Sequence, residues 1–225
     1  MREEKMKKIG IIDSGIGGRG IKKEIKKLIP QAEIIYFADS KNFPYGTKEV
    51  EELNRILEKN ISELISKGTE IIVLACNSAT VTSINYLRER FNIPIVGVEP
   101  AIKMAAKNTK TKNIAVFATP ITSKSEATDR LINEYCKDII VYKIPFENLA
   151  GEIENNKIGV AGLGVTKIWE NYKNKNIDVI VLGCTHYTLI KNQIQKIVGD
   201  QIELVDSNSA VAQQVKKVYD EINID

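Results

Sequence analysis

The chain has 225 residues, 43% hydrophobic and 27% charged, enough to bury a core in one large or two small domains and too ordinary for a disordered or fibrous protein. A net charge of +3 from 32 basic and 29 acidic residues gives no argument for nucleic acid or a membrane surface as partner. The one basic cluster, Met1 to Lys8, runs through only Ile9 to Ile12 before Asp13, too short for a signal peptide. With no stretch of membrane-spanning length and an odd three cysteines, the sequence reads as a cytoplasmic protein with reduced thiols.

In chain order, Ile9 to Ile12 is a short apolar run of the kind that forms a strand buried on both faces. The loop Asp13-Ser14-Gly15-Ile16-Gly17-Gly18 follows, then a helix carrying Ile21, Ile25, Leu28 and Ile29 that Pro30 stops. Ile34 to Phe37 is the second strand, and Asn42-Phe43-Pro44-Tyr45-Gly46 has the composition of a fixed loop. A long amphipathic helix takes Val50, Leu53, Ile56, Leu57, Ile61, Leu64 and Ile65, closed by Gly68. Ile71 to Ala75 is the third strand, with Cys76 at its end and Asn77 and Ser78 placed to cap the next helix. Pro94 to Val98 is the fourth strand, and Glu99-Pro100 opens a short helix. Ile114 to Ala118 then starts a second series, continued by a helix through Leu131 and Ile132, a strand from Ile139 to Tyr142, and helices near Phe146 to Ile153 and Gly159 to Tyr172. Val179 to Gly183 with Cys184, a strand from Ile202 to Val205 and a helix from Asn208 to Ile222 complete the chain.

The two series are related. Ile71 to Thr80 reads IIVLACNSAT and Val179 to Thr188 reads VIVLGCTHYT, so an apolar run, a small residue, a cysteine and a polar pair recur at 184 − 76 = 108 residues. Ile9 to Ser14 matches Ile114 to Thr119 at 114 − 9 = 105, and Ile35-Tyr36 matches Val141-Tyr142 at 141 − 35 = 106. A period of this size is a domain rather than a solenoid unit. The expected architecture is therefore α/β: two pseudo-symmetric domains, each with a parallel sheet, and an active site in the cleft between them. Ligands of such sheets lie beyond the carboxyl ends of the strands, where Asp13, Cys76, Thr119 and Cys184 all fall.

Several chemistries compete for these residues. Gly15-Ile16-Gly17-Gly18-Arg19-Gly20 is a G-x-G-x-x-G run, with Asp39 placed to hold a ribose hydroxyl, but a dinucleotide site leaves both repeated cysteines unexplained. Two cysteines and His186, the one histidine, are a poor zinc set because only one short ligand pair exists. Cys136 reads as a buried small hydrophobe. Cys76 and Cys184, each at a strand-to-helix turn that favours thiolate, suit removal of a proton from one face of a carbon and its return to the other, without cofactor or metal.

At these residues the sequence resembles the cofactor-independent glutamate racemases of the aspartate/glutamate racemase superfamily. The resemblance runs through Asp13-Ser14-Gly15, Pro44-Tyr45-Gly46, Ala75-Cys76-Asn77-Ser78-Ala79, Gly97-Val98-Glu99-Pro100-Ala101 and Gly183-Cys184-Thr185-His186-Tyr187. It implies interconversion of L- and D-glutamate for peptidoglycan by a homodimer. In that scheme Cys76 works on the D enantiomer, assisted by Asp13, and Cys184 on the L enantiomer, assisted by His186 with Glu152. Ser14, Pro44, Tyr45, Gly46, Asn77, Ser78, Thr119, Thr185 and His186 would join Asp13 in holding the substrate. Ser78 stands where threonine is commoner and keeps the hydroxyl. An aspartate racemase and a catalytically weak amino-acid-binding relative are the alternatives. The domains implied are 1–98 with 207–225, and 99–206.

Overall fold

The protein is described by a computed structural model over residues 7–222, so the basic Met1 to Lys8 cluster lies outside the described residues except at Lys7 and Lys8. It divides into two compact units, Met1–Val98 with Asn208–Asp225, and Glu99–Ser207.

In the first unit the apolar runs become β1 (Lys8–Asp13), β2 (Glu33–Ala38), β3 (Thr69–Leu74) and β4 (Ile95–Gly97), all parallel in the order β2-β1-β3-β4. Parallel neighbours need long crossovers, and α1 (Arg19–Leu28), α2 (Val50–Ser66) and α3 (Asn77–Arg90) supply them. Alternation along the strands sends Ile9, Ile11, Ile71 and Val73 to one face, against Ile21 and Ile25 of α1. It sends Ile12, Ile72 and Leu74 to the other, against Leu53, Leu57, Ile61 and Leu64 of α2. The three- and four-residue spacing of that α2 stripe is what makes it a helix in this sheet's company, and each fully buried aliphatic side chain contributes about 1.5–3 kcal/mol.

The second unit holds α4 (Ile102–Asn108), β5 (Asn113–Ala118), α5 (Pro120–Lys124), α6 (Glu126–Tyr135), β6 (Ile140–Pro145), α7 (Leu149–Glu154) and α8 (Ile158–Trp169). It continues through β7 (Val179–Leu182), α9 (Thr185–Leu189), α10 (Lys191–Val198) and β8 (Glu203–Val205). Its sheet order is β6-β5-β7-β8, the first sheet's order with each strand number raised by four. The registers repeat as well: Ile9 lies opposite Ile34 and Ile71, and Ile114 opposite Val141 and Val179. The last helix, α11 (Asn208–Glu221), belongs to the first unit, where it packs on α1 and adds Val211, Ala212, Val215 and Tyr219 to the core.

Two local expectations are corrected. Asn77 and Ser78 do not cap α3: Cys76 is its N-cap residue, its side chain making no capping bond, and the Asn77 amide donates instead to the Val98 carbonyl at 3.4 Å. The helix expected from Phe146 begins only at Leu149, because Phe146 turns its ring into the core, edge-on to Phe117 at 5.0 Å and to Tyr187 at 5.9 Å. Cys136, at the end of α6, is buried as its reading as a small hydrophobe expects, and burial pushes its thiol pKa up.

One carboxylate clasps the second unit together where β7 begins. Asp178 accepts from the Thr109 hydroxyl at 2.5 Å and from the Lys110 and Thr111 N–H groups at 2.6 and 2.9 Å. Burial pushes its carboxyl pKa up, but these hydrogen bonds outweigh burial and hold it below the usual value. Such a group contributes stability in full above its unfolded pKa, and the contribution disappears as pH falls through the lower folded value. Asp178→Asn should cost about 1–2 kcal/mol at neutral pH and lose less further stability below about pH 4 than the wild type. Urea unfolding at a series of pH values checks both.

Candidate active site

Burying polar groups is expensive unless they are bonded, so where the chain does so is informative. In the first unit Asp13, Ser14, Asp39, Asn77, Ser78 and Thr80 are all buried at or just beyond the carboxyl ends of strands. In the second unit Thr185 and His186 are buried beyond β7.

The first group is built on β1 and β3. Asp13 ends β1, and its carboxylate accepts the Gly15 N–H at 2.8 Å, folding the glycine loop back over the strand end. The Tyr36 hydroxyl donates to the Gly15 carbonyl at 2.8 Å. A β carbon on Gly18 would meet Ala75 at 2.8 Å, so only glycine lets the loop sit this close to β3. Ser14 thereby comes within 3.9 Å, oxygen to sulfur, of Cys76. Cys76 is extended, φ −106° and ψ 121°, and α3 starts at the next residue. That helix start is pinned to β4 through Thr80, whose hydroxyl donates to the Leu74 carbonyl and accepts the Val98 N–H at 3.1 Å. Pro44-Tyr45-Gly46 begins with a cis Phe43–Pro44 bond and forms a short 3-10 turn, Tyr45–Thr47, that packs on α3. Tyr45 is buried in the same core cluster as Cys76.

The second group repeats the plan with different polar partners. The Gly183 N–H donates to the Phe117 carbonyl at 2.7 Å, as the Ala75 N–H does to the Ile12 carbonyl at 2.8 Å. Cys184, extended at φ −142° and ψ 133°, then precedes α9. Both thiols are nearly buried, Cys76 at 8% and Cys184 at 7% exposure. Asp13 has no acidic counterpart, because the last residue of β5 is Ala118. The acid arrives from a helix instead: His186 Nε2 lies 2.7 Å from Glu154 Oε2 of α7. Thr119, next after β5, donates its hydroxyl to that of Thr122 at 3.0 Å.

The carboxylate on His186 is therefore Glu154, two residues beyond the Glu152 that the resemblance suggested. Two residues turn a helix by about 200°, so only one of the pair can face the imidazole. Glu152 turns toward α8, where its Oε2 would lie 3.8 Å from a β carbon on Gly164. Beyond Glu154, sequence reasoning missed Asn60, which falls on the buried stripe of α2 and whose polarity there was the available signal. Asp39, considered for a ribose, has its buried carboxylate engaged by Asn42, Tyr45 and Asn60. Among the described residues no group of three or more His, Cys, Asp or Glu side chains is arranged to hold a metal ion. Nor, among them, is any helix long and apolar enough to cross a membrane.

Residues 19–215 match the Asp/Glu/Hydantoin racemase family model. The chain is 36% identical over 225 residues to a glutamate racemase of Clostridium botulinum, covering 99% of this chain and 87% of that one. Among solved structures it is similar to Escherichia coli glutamate racemase in complex with L-glutamate and the activator UDP-MurNAc-ala. The TM-score is 0.88 and the identity 29%, over 94% of this chain and 82% of the other. It is also similar to the Francisella tularensis glutamate racemase in complex with D-glutamate, with TM-score 0.80 and 29% identity over 96% and 81% of the two chains.

If Glu154 supports His186 in proton transfer, Glu154→Gln should slow turnover about tenfold or more, with a much smaller effect from Glu152→Gln. Steady-state rates of the two variants under identical conditions decide the matter, and the reverse order would reinstate Glu152.

Proposed function

The chain belongs to the Asp/Glu/Hydantoin racemase family, and from that premise we propose that it is a glutamate racemase, interconverting L- and D-glutamate to supply D-glutamate for peptidoglycan. The observation that carries this reading is the pair of buried cysteines, each two residues beyond the equivalent strand of a repeated parallel sheet and each immediately preceding a helix. Relatives whose structures hold L-glutamate and D-glutamate support glutamate as the substrate.

In the proposed reaction the thiolate of one cysteine takes the α-proton, forming S–H and leaving an electron pair on carbon. The other cysteine gives its S–H proton to the opposite face, and the pair finishes with its protonation states exchanged. Cys76 removes the proton of D-glutamate and Cys184 that of L-glutamate. An α-carbon beside a carboxylate is far less acidic than a thiol, so the developing charge needs fixed donors. The N–H groups that open α3 and α9, with Asn77, Ser78 and Thr185, are suited to holding carboxylates, and Ser14, Thr119 and the Pro44-Tyr45-Gly46 turn complete the proposed contacts. Asp13 serves Cys76, and His186 with Glu154 serves Cys184. Each positioned acid or base contributes roughly 10² to 10⁴ in rate. The proposed working form is a homodimer.

Incubation with either glutamate enantiomer in deuterated water should abolish optical activity and place deuterium at the α-carbon. Cys76→Ser and Cys184→Ser should each reduce turnover at least about a hundredfold. Substantial racemisation surviving in either variant would reject the two-thiol mechanism. Faster conversion of aspartate than of glutamate would change the substrate.

A further inference from the structure

We propose that Asn60, in the middle of α2, is a positioning residue that fixes the Pro44-Tyr45-Gly46 turn beside Cys76 by holding Asp39 and Tyr45 in one buried hydrogen-bonded cluster. This rests on the function proposed above.

The sequence context of Asn60 already sets it apart. It lies three residues after Leu57 and four before Leu64, on the stripe that α2 buries against the sheet, where an aliphatic residue would ordinarily stand. It is 5% exposed, as is Asp39, and Tyr45 is 1% exposed. The Asn60 amide donates to Asp39 Oδ2 at 2.9 Å and to the Tyr45 hydroxyl oxygen at 3.2 Å. That hydroxyl in turn donates to Asp39 Oδ2 at 2.8 Å. The Asn42 amide donates to both oxygens of the same carboxylate at 2.9 Å, and the Asp39 N–H donates to the Asp13 carbonyl at 2.9 Å. Asp39 thus joins the end of β1, through its N–H, to the turn carrying Tyr45 and the body of α2, through its carboxylate.

Stability alone is a poor reason for this arrangement, since buried charged clusters are often matched or bettered by apolar side chains of similar volume. Hydrogen bonds specify distance and direction, whereas apolar contacts tolerate sliding. What the cluster specifies is the place of Tyr45. Its ring shares a core cluster with Cys76, and the charge of Cys76 is among the causes, after burial and Asp39, that raise the pKa of the Tyr45 hydroxyl. The turn packs on the helix that Cys76 opens. A misplacement of about 1 Å in such a framework can cost on the order of a hundredfold in rate.

All of these groups lie in the unit that carries Cys76, so the effect falls on the proton transfer made by Cys76 and not on the one made by Cys184. Asn60→Leu should lower kcat/KM about ten- to hundredfold, equally for the two enantiomers because their equilibrium constant is unity. The α-deuterium isotope effects on kcat/KM should move in opposite senses. The effect should rise for the enantiomer that Cys76 deprotonates, and fall toward one for the other, whose slow step becomes reprotonation by Cys76. Tyr45→Phe, which keeps the ring and loses the hydroxyl, should show the same asymmetry and serves if Asn60→Leu does not fold. Wild-type kcat/KM in the variants, or a loss of kcat/KM with both isotope effects unchanged, would overturn the proposal and leave Asn60 a merely structural residue. Absence of α-proton exchange in the wild type would sink the racemase reading and this inference with it, whereas an active wild type with symmetric variants would sink this inference alone.

Discussion

A parallel sheet covered on both faces can place chemistry only at its ends, and most of what distinguishes this molecule follows from that restriction. From Ile9 to Ile12 in β1, Ile71 to Leu74 in β3, Ile114 to Ala118 in β5 and throughout β7 every residue is buried and apolar, so a functional group within these runs would carry a large desolvation cost. Because the strands of each sheet run the same way, their carboxyl ends emerge along one edge of that sheet, and the loops there carry Asp13 and Cys76 in the first unit and Cys184, at the point equivalent to Cys76, in the second. The ladder bond made by the residue before each cysteine, Ala75 or Gly183, continues the strand up to the thiol and sets its direction. The helix that begins at once behind it directs the N–H groups of its first turn toward the same place.

The repeat fixes the scaffold without fixing the acid–base partners. In the first unit the carboxylate nearest the strand ends is contributed by β1 itself and bonded to its own loop. In the second, the equivalent strand ends in alanine, and a buried histidine and a half-buried glutamate from two helices form the pair. Similar strand-to-helix turns therefore carry unlike electrostatics.

The strands, their order in two matching series and both cysteines were legible because each depends on short-range pattern: apolar runs of fixed length, and a motif that occurs twice. What escaped depends on the phase of a helix or on packing across the sheet. Choosing Glu154 over Glu152 requires knowing where α7 starts, and that start was moved three residues by the burial of Phe146. Asn77 looked like a cap, but the extended Cys76 took that position and freed the amide for the Val98 carbonyl. Asn60 was visible only as a breach of an otherwise regular stripe, and its meaning emerged with the two distant residues that satisfy it, Asp39 and Tyr45.

The return of α11 to the first unit has a bearing on biosynthesis. The face of β1 and β3 that carries Ile9, Ile11, Ile71 and Val73 is covered jointly by α1 and α11, yet the 207 − 99 + 1 = 109 residues of the second unit are translated between the rest of that sheet and its final cover. At ordinary elongation rates the gap lasts on the order of ten seconds. The second unit can mature on the ribosome as soon as it emerges, while the first waits with a greasy flank until α11 follows it out.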